Sequence, residues 1–425
     1  LINTKNIDDL LKIKINDIDY GKIIYDHCVR FSGIGTIDKV LDIFYSYLFK
    51  CFLIEHQINY ILNQNDIVAT VQTERQFIPG AVLFQSALVN KKKVYSRIGA
   101  SNKFCVVKYD DLNDKFRSRY KFSKKLFEEI NIKIGEKARK EGEKIIIERF
   151  RGINEKQVFH EFFDGPDFRK QKIINTIDKV HFTKKELCDQ LGWNIEKPIN
   201  VIFSSDLTDG IFDQRWSIFR DRLTMLRETL KIAVNTSNVN WIVKPHPNDL
   251  LHKVITSTSS EFEKICENKD HVKLIPNNVS ISSLPKIVNL AVTINGSVAS
   301  EYPSFGVPTV VSAEAICSNF GFNITPKNYN EYASVLKNSH KLEKLPQDQI
   351  DRAKIFIYLY TEIMGVKSEI IPENDSRDFD EKKYWNKMKN LIENHDVKKN
   401  NLLEMMKIQN EKNDRHAVNY KLITD

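Results

Sequence analysis

Two short apolar runs, each ending abruptly in a polar turn, set the limits on what this chain can fold into. Trp241-Ile242-Val243 runs into Lys244-Pro245-His246-Pro247, and further on Val288–Ile294 runs into Asn295-Gly296-Ser297-Val298-Ala299-Ser300-Glu301. Phe305-Gly306-Val307-Pro308 then turns tightly into a third run, Thr309-Val310-Val311. Short runs rich in Val and Ile, bounded by Gly and Pro, read as buried strands. In an open α/β sheet, ligands bind outside the carboxyl ends of such strands. The two polar turns are therefore expected to face a nucleotide, as in a transferase acting on a nucleotide-linked sugar or alcohol.

The surrounding sequence completes the pattern. Strands are expected at Ile199–Ser204, Asn240–Lys244, Val272–Ile275, Val288–Ile294 and Pro308–Ser312, with a long helix from about Trp216 to Asn235. Strands alternating with helices predict a parallel, doubly wound sheet and an α/β class. A chain of 425 residues exceeds one ordinary core. We expect an N-terminal Rossmann-like domain at 1–195, a C-terminal one at 196–377, and helices at 378–425 crossing back to brace the first. Thr183-Lys184-Lys185-Glu186 reads as a capping box, with Phe182 as its staple, on a helix that stops near Gly192. Within the first domain, Asp19–Asp26 reads as a short strand or turn, Ile37–Leu62 as helical and Asp66–Val71 as a buried strand. Gly80–Val89 then reads as a helix and Lys93–Arg97 as the next strand, closing a βαβ unit. Residues 108–180 read as charged and largely helical, and the tail from Val397 as a solvated or frayed helix.

Charge and cysteine usage exclude several classes. Lys+Arg 64 against Asp+Glu 56 gives +8, a mild excess that suits an anionic ligand or an anionic membrane surface as well as nucleic acid. No nucleic-acid motif is present. The six cysteines contain no CxxC pair and read as small core residues of a reducing compartment. No basic-then-apolar leader opens the sequence, and Phe44–Ile54, which includes Lys50, is too short to span a bilayer. Walker A, GxGxxG, HExxH and GxSxG are all missing, no Asp-x-Asp stands at a strand end, and no metal is required.

Candidate chemistry concentrates at the strand ends. His246, between two prolines of fixed φ, would donate to or neutralise a leaving phosphate, with Lys244 adding charge. Asn295, Gly296, Ser297 and Ser300 would offer donors at a helix start, and Glu301 would accept from ribose hydroxyls. Ser297 acting only as a helix cap is the plainer alternative, but capping does not account for the whole group. In Ser204–Gly210, Ser205, Asp206 and Asp209 would reach donor or acceptor hydroxyls, or form an ordinary Asp-Gly turn. Glu74, on the loop after the Asp66–Val71 strand, is the candidate base on the acceptor side, beside Gln72 and Arg75, with Asp209 competing. Asp26 and His27 form a further polar pair.

The stretches Asn240–Asn248 and Val288–Val311 resemble the bacterial capsule polysaccharide biosynthesis family, which includes β-Kdo transferases. They are distantly similar to bacterial sialyltransferases and teichoic-acid polymerases, and Asp66–Gly99 resembles the family's first-domain strand, loop and helix. The resemblance implies a GT-B fold, two Rossmann-like domains facing a central cleft. It makes His246-Pro247 the His-Pro motif and Ser297 with Ser300 the serine motif. It further implies an inverting, metal-independent transfer from a CMP-linked donor, first a ulosonic acid such as Kdo, to a glycan or glycolipid. The place implied is the cytoplasm, peripheral to the inner membrane or its capsule machinery. Rival readings are a UDP-sugar transferase, a CDP-polyol phosphotransferase, a sugar-nucleotide 2-epimerase and a non-catalytic assembly scaffold.

Overall fold

The computed structural model describes residues 6–64, 66–98, 103–114, 124–150, 180–246, 249, 255–276, 278–372 and 381–424. In the N-terminal half, helices α1 (Ile7–Leu11), α2 (Tyr20–Ser32) and α3 (Asp42–Gln64) precede strand β1 (Ala69–Gln72). Helix α4 (Gly80–Val89) then connects β1 to β2 (Lys93–Ile98), the two strands pairing in parallel as a βαβ unit requires. Strand β3 (Lys103–Tyr109) returns antiparallel to β2, and α5 (Lys124–Phe150) follows.

Two expectations change here. Residues 19–26 are not a strand or turn but the N-cap and first half of α2, in which Tyr20, Ile23, Ile24, Tyr25 and Cys28 enter a core with Phe44, Leu48 and Val82. Strand β1 lies at the edge of its sheet, and Val68 and Val71 are exposed rather than buried. Residues 151–179 of the expected helical stretch lie outside the described residues.

The next helix, α6 (Lys184–Leu191), has its capping box in place: Thr183 accepts from the Glu186 amide, and Glu186 accepts from that of Thr183. Gly192 ends it at φ 70°, in the left-handed region open to glycine. The second half then builds a five-stranded parallel sheet from β4 (Ile199–Phe203), α7 (Arg222–Val234), β5 (Asn240–Lys244), α8 (Thr258–Cys266), β6 (Val272–Leu274), α9 (Leu284–Ile287), β7 (Leu290–Thr293), α10 (Val298–Glu301) and β8 (Thr309–Val311). The order is β6-β5-β4-β7-β8, with Ile202 in register with Val243 on one side and Val292 on the other. Every residue of β4, β7 and β8 is buried, which is why these strands read as short, mostly apolar runs. Helix α7 starts later than expected because Asp221 caps it, accepting from the Thr224 amide at 2.7 Å.

After α11 (Tyr329–Lys337), the chain crosses back. Helix α12 (Gln347–Tyr358) packs along α5, with Arg352 bonded to Glu128 at 2.6 Å and Lys354 to Glu143 at 2.8 Å. Strand β9 (Val366–Lys367) adds to the free edge of β3, followed by α13 (Glu381–Glu393), α14 (Asn401–Glu411) and α15 (Lys421–Thr424). The tail is packed rather than frayed. Ala417, Val418 and Ile423 are buried, and the Ala417 amide donates to the Val106 carbonyl at 3.0 Å.

Candidate functional site at the sheet's switch point

The chain order turns over between β4 and β7: it runs outward through β5 and β6, then returns to the other side of β4. At such a switch point, loops leaving neighbouring strands part in opposite directions and open a crevice. The residues after β4 and after β7 form its two lips, and Arg222 joins them. Its Nη1 donates to Asn295 Oδ1 at 3.0 Å and its Nη2 to Asp209 Oδ2 at 3.1 Å, while Nε donates to the Asp209 carbonyl at 3.1 Å. A planar guanidinium with several fixed donors holds both lips at one separation. Asp209 and Asn295 thus stand at the crevice with their carboxylate and amide oxygens committed to Arg222.

His246 follows β5, beside β4. Its backbone N–H donates to Ser204 Oγ at 2.8 Å, and that oxygen also accepts from Thr258 Oγ1 at 2.9 Å, so the turn is tied to the end of the central strand. Lys244 Nζ reaches the Pro245 carbonyl at 3.1 Å. Pro247 lies outside the described residues. Asp249 bonds back to the His246 carbonyl through its amide at 3.0 Å, and burial raises the pKa of its carboxyl against the opposing hydrogen bonds from Thr258.

Beyond β7, α10 is a single turn. The amides of Ala299, Ser300 and Glu301 bond within it, that of Gly296 bonds to Thr293 Oγ1 at 3.2 Å, and Ser300 Oγ donates to the Ser297 carbonyl at 3.0 Å. Ser297 is exposed at the lip, and its side chain does not cap the turn. Glu301, expected to accept from ribose hydroxyls, is instead buried and paired with Arg149 of α5 at 2.8 Å.

The opposite wall is α2, which sequence reasoning did not recognise as a helix. Asp26 Oδ1 accepts from the Ile211 amide at 3.1 Å and Oδ2 from that of Phe212 at 2.9 Å. Gly210 permits this approach: a Cβ there would lie 2.5 Å from the Asp26 carboxyl and 2.4 Å from Gln76 Nε2. Burial lifts the Asp26 pKa to about 7, Asp213 adds to the rise, and the two amides oppose it. One turn further, Arg30 pairs with Asp206 at 2.8 Å. Asp206 also accepts from the Thr208 amide and hydroxyl at 3.1 and 2.8 Å, so it braces its own loop rather than presenting a free carboxylate to a ligand. Ser205 is half-buried beside it. A small cavity between the halves is lined by polar Asp19, Lys22, Asp26, Arg75, Gln76 and Asp213 and by apolar Ile23, Ala81, Phe84 and Phe212.

The acceptor-side candidates take up local work. Arg75, expected to reach a ligand, turns inward, bonds Asp213 at 3.1 Å, and lies 5.5 Å from the ring centres of both Phe84 and Tyr109. Glu74 is exposed, and its Oε1 accepts from the amides of Arg75 at 2.7 Å, Phe77 at 3.2 Å and Gln76. Gln72 Nε2 donates to the Glu74 carbonyl at 3.1 Å. Arg222, Arg30 and Asp213 were missed altogether. A signal that could have placed Arg222 is Asp221, whose carboxylate caps the helix that begins at Arg222. Among the described residues, no three His, Cys, Asp or Glu side chains gather as a metal would need, and no helix is long and apolar enough to cross a membrane.

No family model and no curated protein matches this sequence. Among solved structures, the chain is similar to sucrose-phosphate synthase from Thermosynechococcus elongatus (15% identity over 42% of this chain and 47% of that one, TM-score 0.28). It is similar to Anabaena HepE in complex with UDP and glucose (16% identity, 44% and 50% covered, TM-score 0.28). The chain therefore spans about half the length of these two. It is also similar to KpsC from Thermosulfurimonas dismutans, titled a beta Kdo 2,7 transferase, at 11% identity over 79% of this chain and 90% of that one, with a TM-score of 0.34. At such scores, the reading of the site rests on its own residues.

Proposed function

We propose that this chain is an inverting glycosyltransferase of bacterial surface polysaccharide synthesis, binding a nucleotide-sugar donor in the crevice between β4 and β7. The observation that carries the reading is the Arg222 clamp at the switch point of a parallel sheet, with the His246 turn anchored to Ser204 beside it. In this reading His246 stabilises the leaving phosphate, and Lys244, Asn295, Gly296, Ser297 and Ser300 surround the nucleotide. The donor is CMP-linked, first a ulosonic acid such as Kdo. Glu74, its Oε1 fixed by backbone amides, takes the proton of the acceptor hydroxyl through Oε2. The acceptor, a glycan or glycolipid, enters over residues 1–195, and the donor lies on 196–377. The enzyme works in the cytoplasm.

Melting curves with CMP, CDP and UDP test this, because a ligand held by the native state alone stabilises by about 2.7 kcal/mol at a hundred times its Kd. CMP is expected to raise the melting temperature of the wild type and to have little effect on Arg222→Met, each compared with its own unliganded curve. A larger shift with UDP than with CMP overturns the CMP donor. No shift with any nucleotide overturns the transferase reading.

A further inference from the structure

A single peptide group joins α2 to the clamp at the crevice. The N–H of Ile211 donates to Asp26 Oδ1 at 3.1 Å, and the C=O of Gly210, in the same peptide unit, accepts from Arg222 Nη2 at 3.3 Å. In a trans peptide these two groups point in opposite directions, so Asp26 and Arg222 stand on either side of one rigid plane. From there Arg222 Nη1 continues to Asn295 Oδ1 at 3.0 Å on the other lip. Asp26, Gly210, Ile211 and Arg222 are all buried. Water therefore does little to screen this chain of bonds, and hydrogen bonds in series polarise one another.

We infer that Asp26 is a positioning residue for the donor crevice: ionised, it holds the Arg222 clamp through the Gly210–Ile211 peptide, and protonated, it loosens it. A carboxylate accepts from an amide about twice as strongly as a neutral acid does. With the charge present, the Ile211 N–H is polarised, electron density moves onto the Gly210 oxygen, and that oxygen binds the guanidinium more firmly. Protonation removes this pull. Burial places the change within reach, lifting the Asp26 pKa to about 7 with help from Asp213 and against the two amides and Gln76. The ionisable groups facing Asp26 are Asp19 and Lys22 on α2, Arg75 from the loop after β1 and Asp213 from the segment after β4, while α4 contributes the neutral Gln85. Arg75 and Asp213 are paired with each other, as are Arg222 with Asp209 and, one turn along α2, Arg30 with Asp206. Asp19 and Lys22 are opposite in sign, so the fixed charges nearby offset one another. His27, the next residue on α2, is pushed down to about 4 by burial and is neutral where Asp26 titrates. The use of the clamp rests on reading this crevice as a nucleotide site; the coupling of Asp26 to Arg222 does not, and its test needs no nucleotide.

Nitrogen–proton NMR spectra of the full chain, labelled at arginine, follow the Arg222 Nε–H signal from about pH 5 to 9. The signal is assigned by its loss in Arg222→Lys. In the wild type it is expected to move along a single titration with its midpoint at about 7. Asp26→Asn should hold it near its low-pH position throughout, because the amide keeps the shape of the acid and lacks the charge. Gln76→Leu removes a donor that stands 3.4 Å from Asp26 Oδ2 and should raise the midpoint by roughly 0.5–1 pH unit. That variant leaves Asp26 in place, so it decides the question should Asp26→Asn not fold. A signal that stays fixed in the wild type overturns the inference. So does one that titrates equally in Asp26→Asn, as it would if His246 were the source, or one whose midpoint Gln76→Leu leaves unmoved.

Discussion

The Arg75–Asp213 pair fastens the loop after β1 to the segment after β4 and can be removed without deleting the Arg222 contacts to Asp209 and Asn295. The side chains of Arg75 and Asp213 are 1% and 6% exposed, with Nη2 and Oδ2 3.1 Å apart. Arg75→Leu leaves the Asp213 carboxylate buried without its guanidinium, a change that typically costs about 3–5 kcal/mol. Loss of the two ring contacts adds about 0.5–1 kcal/mol each. Asp213→Leu alone strands the guanidinium between Phe84 and Tyr109 and should cost about as much as Arg75→Leu. The double Leu variant strands neither charge, so it should stand within about 2 kcal/mol of wild type, and with single losses of about 4 kcal/mol or more each the cycle should give a coupling of at least about 6 kcal/mol. Urea unfolding followed by tryptophan fluorescence reads all four proteins. Additive losses, with a coupling below about 0.5 kcal/mol, would refute the view that the two residues act as one buried unit.

Asp26 gives a pH dependence of defined sign. Its folded pKa, about 7, lies above the reference value of 3.8, so the folded state holds the proton more tightly than the unfolded one. The associated stability is fully present below the unfolded value and is lost as pH rises through about 7. Relative to Asp26→Asn, the wild type should therefore lose stability between pH 4 and 7, on the order of 4 kcal/mol; a flat difference in urea titrations across that range contradicts the burial argument. Gly210→Ala places a methyl 2.5 Å from the Asp26 carboxyl and should cost about 1–3 kcal/mol in the same assay, more than alanine normally costs in a loop. A neutral result would show that α2 can retreat from the loop.

The parallel sheet was legible because its central strands are buried on both faces, so Ile199–Phe203, Leu290–Thr293 and Thr309–Val311 appear as short, mostly apolar runs closed by turn residues. Helix α2 was illegible for a related reason. Residues 23–29 are all buried, so no polar stripe marks a helical period, and Ile23-Ile24-Tyr25 imitates a strand. The site divides in the same way. Strand-end positions such as His246, Asn295 and Asp209 could be found from the turns they occupy, whereas their partners come from distant sequence. Arg222 and Asn295 are 73 positions apart, Arg75 and Asp213 are 138, and Asp26 and Ile211 are 185. Glu301 shows the limit of reading a motif in isolation, because nothing near it in sequence announces Arg149.

The late strand β9 gives the molecule an order of assembly. Tyr95 in the first sheet hydrogen-bonds Asn410 at 2.7 Å, across 315 positions, and Lys108 bonds Asn413 across 305. During synthesis, β3 therefore emerges with its outer edge bare and stays so while the whole five-stranded sheet is made and packed. An unpaired strand edge is a template for wrong partners. Chaperone dependence should accordingly centre on β3, and release should follow the emergence of the segment that carries β9 and α14.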